Sequence, residues 1–336
     1  MSMPDKIALE EHMSTAEVNG LWDESGEAAR NGEAYMTWVQ ERLVDVDARL
    51  AEMDACGIEQ SILSLTSPGI QSITDADLAV ETARAVNDHL HEQFVAAHPD
   101  RFACFAAVAM QAPEQAASEL ERAVTQLGAK GAMVNGYTNV GDAQTGRYLD
   151  APENAVFWAK AAELDVPVYL HPRESLPSQQ RAYDGYACLV GSAWGFGHET
   201  ATHAVRLMLS GLFDEHPGLQ IILGHLGEGL PFMLPRLEHR LAKQREGVGL
   251  GRARKPVSHY FAANFLLTTS GHFHTNALKN AISEIGVDRV LFSADYPFET
   301  MQDAAEWFDG CLLSENDKRR VGRTNALRIF GLENGS

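Results

Sequence analysis

Eight short apolar runs, separated by stretches of helical periodicity, set the limits on this chain. The runs are Ile7–Glu11, Gln60–Leu65, Phe102–Val108, Gly131–Asn135, Pro167–His171, Ile221–His225, Phe265–Ser270 and Val290–Asp295. Between them, residues 42–56, 75–97, 113–127, 154–164, 199–213, 276–285 and 315–330 carry apolar side chains at three- and four-residue spacing. Strand-sized runs alternating with helices predict parallel βα units, and eight such units predict a closed (β/α)₈ TIM barrel in the α/β class. The 336 residues suit one such barrel, a single domain over 1–336, with irregular insertions at 13–40 after strand 1 and 172–198 after strand 5. Asp75 or Thr74 is expected to cap a helix, and Gly128, Gly218 and Gly286 to end helices.

A barrel gathers the C-terminal ends of its strands on one face, so residues far apart in sequence can share a site. Strand 1 ends in Glu10-Glu11-His12, where alternation puts Glu10 and His12 on one face and Glu11 on the other. Glu11 is therefore expected to meet a basic group or solvent. Asn135, His171, His225 with Glu228, and Asp295 close later strands. Each has an ordinary structural reading: a hydrogen-bonded histidine, a turn asparagine, a helix-capping aspartate, a local polar pair. Two histidines and two carboxylates at shared strand ends fit a divalent ion with mixed nitrogen and oxygen ligands.

The order of these segments resembles the decarboxylase branch of the amidohydrolase superfamily, which includes aminocarboxymuconate-semialdehyde decarboxylase and the dihydroxybenzoate decarboxylases. The resemblance runs from Ile7 to Gly331. It rests on Ala8-Leu9-Glu10-Glu11-His12, Gly131-Ala132-Met133-Val134-Asn135-Gly136, Leu170-His171-Pro172-Arg173, Gly224-His225-Leu226-Gly227-Glu228-Gly229-Leu230-Pro231, Thr268-Thr269-Ser270-Gly271 and Leu291-Phe292-Ser293-Ala294-Asp295-Tyr296-Pro297-Phe298-Glu299.

The resemblance implies one divalent ion, manganese or zinc, held by Glu10, His12, His171 and Asp295. Hydrolytic members usually open with His-x-His, and binuclear ones often use a strand-4 lysine. Glu10 and Asn135 stand in those places here. The implied reaction is reversible, non-oxidative loss of carbon dioxide from an ortho-hydroxybenzoate, the 2,6-dihydroxy isomer foremost. In it Asp295 protonates the ring carbon, His225 orients or relays, and Glu228 fixes the histidine tautomer. Asn135, Arg236, Phe298 and Trp22 are the candidate substrate contacts, and family analogy lets Arg236 reach a neighbouring subunit of a homo-oligomer, a tetramer or dimer. The competing readings are a 2,3-dihydroxybenzoate or salicylate decarboxylase, a mononuclear hydrolase of a lactone or amide, and a metal-binding scaffold without catalysis.

The formal net charge of -19 argues against nucleic acid and anionic membranes as partners. It also means that an anionic substrate needs a local positive charge. Cys56, Cys104, Cys188 and Cys311 are scattered and read as reduced thiols. With no signal peptide and no apolar run of about 18 residues, a cytoplasmic protein is expected.

Overall fold

The computed structural model describes residues 6–20 and 30–332. Trp22 lies outside them, as does part of the 13–40 insertion.

Eight parallel barrel strands are present: β1 (Lys6–Met13), β2 (Ile58–Leu65), β3 in two pieces (Phe102–Cys104 and Ala106–Ala107), β4 (Ala132–Asn135), β5 (Val168–His171), β6 (Ile221–Leu223), β7 (Phe265–Thr268) and β8 (Val290–Leu291). Pairing runs β1-β2-β3 and then β3-β4-β5-β6-β7-β8 in chain order. The break in β3 is bridged, because Phe105 N donates to Leu63 O at 2.8 Å and Ala106 N to Gly131 O at 2.8 Å. The last strand returns to the first through a parallel bridge between Leu9 and Ser293. Leu9 N donates to Phe292 O at 3.2 Å, and His12 N to Tyr296 O at 2.7 Å. The ring is thus closed, as eight βα units require.

Alternation along the strands divides the core. Ile7, Leu9, Ile62, Met133, Tyr169, Ile222 and Leu266 fill the barrel, where Ala326 and Phe330 of the last helix join them. Ala8, Leu63, Val134, Leu170, Leu223 and Leu267 point outward and pack beneath the helices.

The helices depart from the periodicity in places. Residues 42–56 are not one helix: Glu33–Val44 ends at Asp45, whose carboxylate accepts from Ala48 N and starts Val46–Cys56. The apolar period runs across this joint, but the cap wins. Gly211, at φ +87°, likewise breaks 199–213 into Gly195–Leu209 and Leu212–Glu215. Asp75, not Thr74, caps the helix Ala76–Leu90, and Gly128 ends Pro113–Leu127 in the left-handed region. Gly286 also follows its helix with positive φ, whereas Gly218 does not, because His216 already ends that helix. A hairpin after β4, Thr138–Val140 with Asp142–Arg147, was not anticipated.

Candidate metal centre

Glu10, His12, His171 and Asp295 converge. One ligand atom from each lies within 4.8 Å of every other, the sole such group among the described residues. That spread matches the shell of one ion whose ligands sit about 2.0–2.2 Å away. His12 Nε2 is 3.2 Å from Asp295 Oδ1, and His171 Nε2 is 3.3 Å from Glu10 Oε1. The His12 and His171 rings meet edge to face at 4.6 Å.

Simple strand alternation brings Glu10 and His12 together only in part. The β1 register slips between Ala8 and Glu11, and Glu10 has φ +55°. A bulge of this kind re-aims a side chain at an active site. Asp295, at φ +79°, and His225, at φ +50°, share the left-handed conformation. Both lie beyond strands that end earlier than periodicity indicated, at Leu291 and Leu223. Strained backbone clusters at functional sites because the surroundings hold it there.

Glu10 is fully buried and its two oxygens differ. Oε2 accepts from Tyr169 Oη, from Ser270 Oγ at 2.5 Å and from Thr268 Oγ1 at 3.3 Å. Oε1 has no hydrogen-bond partner among the described residues, and neither does His12 Nε2. Buried polar atoms left this way are costly unless something satisfies them. The donor set of two imidazoles and two carboxylates therefore fits a divalent ion. Burial opposes ionisation of Glu10, but the neighbouring His225, foremost, and His171 outweigh it and hold the carboxyl below its usual range. Burial also pushes His12 down, keeping the imidazole neutral as a ligand must be.

His225 sits beside this group, with Nε2 3.5 Å from Asp295 Oδ2 and 3.7 Å from Glu10 Oε1. Its Nδ1 is 2.8 Å from Glu228 Oε1. Burial disfavours the imidazolium, yet Glu228, Glu10 and Asp295 raise its pKa well above the ordinary value. Sequence reasoning missed Tyr169, Thr268 and Ser270. Tyr169 precedes His171 by two residues and Thr268 precedes Ser270 by two, so period-2 alternation was the available signal.

Glu11 does point away, as expected, but not to solvent. It is buried, accepts from Ala294 N at 2.9 Å and Ser293 Oγ at 3.3 Å, and burial raises its pKa to about 8. The Arg49 guanidinium opposes that shift, donates to His12 O and lies 4.6 Å from the Tyr296 ring.

His171 and Asp295 open into a cavity of about 270 Å³ lined also by His225, Phe298, Tyr35, Tyr137, Phe196 and Arg173; Glu10 and His12 are fully buried and do not line it. Phe298 lines this cavity. Asn135 pairs in register with His171 but is not a lining residue, although its buried Oδ1 has no partner among the described residues. Arg236 stands exposed on the helix Leu230–Gln244 and does not line the cavity.

A (β/α)₈ barrel with a mixed histidine and carboxylate metal centre at its strand ends defines a class, and this chain belongs to the amidohydrolase family, whose model matches residues 21–332. Within it, the chain is 49% identical to the gamma-resorcylate decarboxylase of Rhizobium sp. (strain MTP-10005), over 98% of this chain and 99% of that one. A 2,6-dihydroxybenzoate decarboxylase solved with 2,6-dihydroxybenzoate superposes with a TM-score of 0.92 at 48% identity, covering 98% of this chain and 100% of that one. The dihydroxybenzoic acid decarboxylase of Polaromonas sp. JS666, solved with manganese and 2-nitroresorcinol, gives 0.93 at 47% identity, covering 99% and 98%.

Proposed function

We propose that this chain converts 2,6-dihydroxybenzoate to resorcinol and carbon dioxide, with Glu10, His12, His171 and Asp295 holding one divalent ion. The observation that carries this reading is their mutual convergence, with His171 and Asp295 reaching the cavity and Asp295 facing both His12 and His225. Manganese is the preferred ion over zinc, supported by the manganese in the Polaromonas relative.

A divalent ion held by Glu10, His12, His171 and Asp295 would supply the positive charge that an acidic protein needs to hold an ortho-hydroxy acid. Direct loss of carbon dioxide would leave an aryl anion, so proton transfer to the ring comes first. The ortho hydroxyl of the bound acid gives its proton to Asp295, which delivers it to the ring carbon bearing the carboxylate, the phenolate electron pair forming the new C–H bond. The bond to the carboxylate carbon then breaks, its electron pair restores aromaticity, and carbon dioxide departs. His225 holds Asp295 in place from the side, and Glu228 fixes the histidine's orientation. The aromatic faces of Phe298 and Tyr137 bound the ring's space.

Asn135, paired in register with His171 and with its buried Oδ1 unpartnered among the described residues, is kept as a candidate substrate contact although it does not line the cavity. Arg236 serves the site of a neighbouring copy in a homo-oligomer. Exposed Phe232 and Met233 on the same helix support such an association. Among the described residues no helix is long and apolar enough to cross a membrane.

The test mixes manganese-loaded protein with 2,6-dihydroxybenzoate and follows resorcinol by absorbance. Turnover that a chelator abolishes and manganese restores is expected. Lactone or amide hydrolysis without release of carbon dioxide from any ortho-hydroxybenzoate would sink the reading.

A further inference from the structure

The cavity has a second charged pole. Arg173, two residues beyond His171, lines the same space and is 8% exposed. A buried guanidinium is costly unless an anion compensates it. Its Nη1 donates to Tyr137 O at 2.9 Å and its Nη2 to Asn139 Oδ1 at 2.9 Å, both neutral acceptors. Among the described residues, Nε has no partner and no carboxylate forms an ion pair with the group. Glu174 and Glu199 act on it only through space. Glu174 is paired with Arg30, and Glu199 is hydrogen-bonded to Tyr148.

The chain is shaped around this cation. Gly136 has φ +62°, and a Cβ there would lie 2.5 Å from Arg173 Cγ and 3.0 Å from Cδ. The guanidinium covers the Tyr137 ring at 4.2 Å. Ser175, two residues further on, also lines the cavity, and its buried Oγ has no partner among the described residues. Gly136, Tyr137 and Asn139 thus cradle a positive charge at the wall of a cavity in a protein of net charge -19.

We propose that Arg173 recognises the negative charge of the substrate, drawing an aromatic acid into the cavity in preference to a neutral phenol. Resting on the decarboxylase reading, this gives the residue a second consequence. Loss of carbon dioxide turns the bound anion into a neutral ring, so the attraction ends with the reaction and the product is released. A long-range field of one sign repels such a ligand, and a local opposite charge within a low-dielectric wall reverses that.

Binding calorimetry on manganese-loaded protein tests this with benzoate, which lacks the ortho hydroxyl the reaction uses, and with resorcinol. Arg173→Gln keeps donors for Tyr137 and Asn139 but removes the charge. It is expected to weaken benzoate at least tenfold and leave resorcinol within twofold. Arg173→Lys is expected to keep the preference within threefold of the unaltered protein. Asn139→Ala loosens the hairpin without touching the charge, and is likewise expected to keep the preference. Equal weakening of both ligands by Arg173→Gln, or loss of the preference in Asn139→Ala, would overturn the proposal and leave Arg173 a fastener of the hairpin. Benzoate binding needs no turnover. A protein that shows the expected preference yet leaves 2,6-dihydroxybenzoate intact would therefore refute the decarboxylase reading and not the anion site.

Discussion

His225 and Glu228 close a left-handed turn on each other, with Nδ1 2.8 Å from Oε1 and φ values of +50° and +56°. Leu226 and Gly227 between them also have positive φ. Each such non-glycine residue costs about 1–3 kcal/mol. The turn is held by His225 N on Ser270 Oγ at 3.0 Å and Gly227 N on Gly224 O at 2.7 Å. What the strain achieves is a histidine whose remaining nitrogen faces Asp295 and Glu10.

Glu228→Gln keeps an oxygen for the Nδ1 proton but removes the charge. Turnover should fall roughly 10- to 100-fold, the usual range for a partner of a site histidine. Metal content, measured by elemental analysis, should stay near one equivalent, since Glu228 is not among the four ligands. Loss of metal with activity per bound ion unchanged would contradict the positioning role.

Gly224 controls the centre from outside the ligand set. A Cβ there would sit 2.4 Å from Glu10 Oε2, 2.9 Å from Oε1 and 2.9 Å from Ser270 Oγ. Glu10 cannot swing away, because Tyr169, Thr268 and Ser270 hold Oε2. Gly224→Ala should therefore weaken manganese at least tenfold, read by chelator competition. Unaltered affinity would show that Glu10 has room to move.

His203 sets a pH limit on stability. It is fully buried, its Nε2 accepts from Leu149 N at 2.9 Å, and burial lowers its pKa from 6.5 to about 3. Between those values the unfolded chain binds a proton that the folded one refuses. Stability therefore falls as pH drops below 6.5 and levels off near 3. Each pH unit in that window costs about 1.4 kcal/mol from this group. His203→Gln, which keeps an acceptor for Leu149 N, should lose about 2 kcal/mol less than the parent between pH 6.5 and 5.0 in urea unfolding. Parallel slopes would contradict it.

The barrel was legible because its strands alternate apolar and helical periods with little interruption, and because closure follows from eight units. The metal cluster was legible at His12, His171 and Asp295 through their place at strand ends. Glu10 reaches the same point, though through a bulge and a left-handed φ that alternation does not describe. Arg49 was not legible. It lies on the helix Val46–Cys56 and reaches His12 O only by tertiary packing. The cradle of Arg173 was hidden for the same reason, since its partners, the Tyr137 carbonyl and the Asn139 side chain, are brought to it only by tertiary packing.

The most direct test of the account is turnover by Asp295→Asn. Manganese-loaded parent protein should convert 2,6-dihydroxybenzoate to equimolar resorcinol and carbon dioxide. Asp295→Asn, which keeps an oxygen for the cluster but no acidic proton, should retain part of its manganese and lose at least a thousandfold in rate per bound ion. Carbon dioxide release by that variant within tenfold of the parent would contradict the assignment of Asp295 as the proton donor.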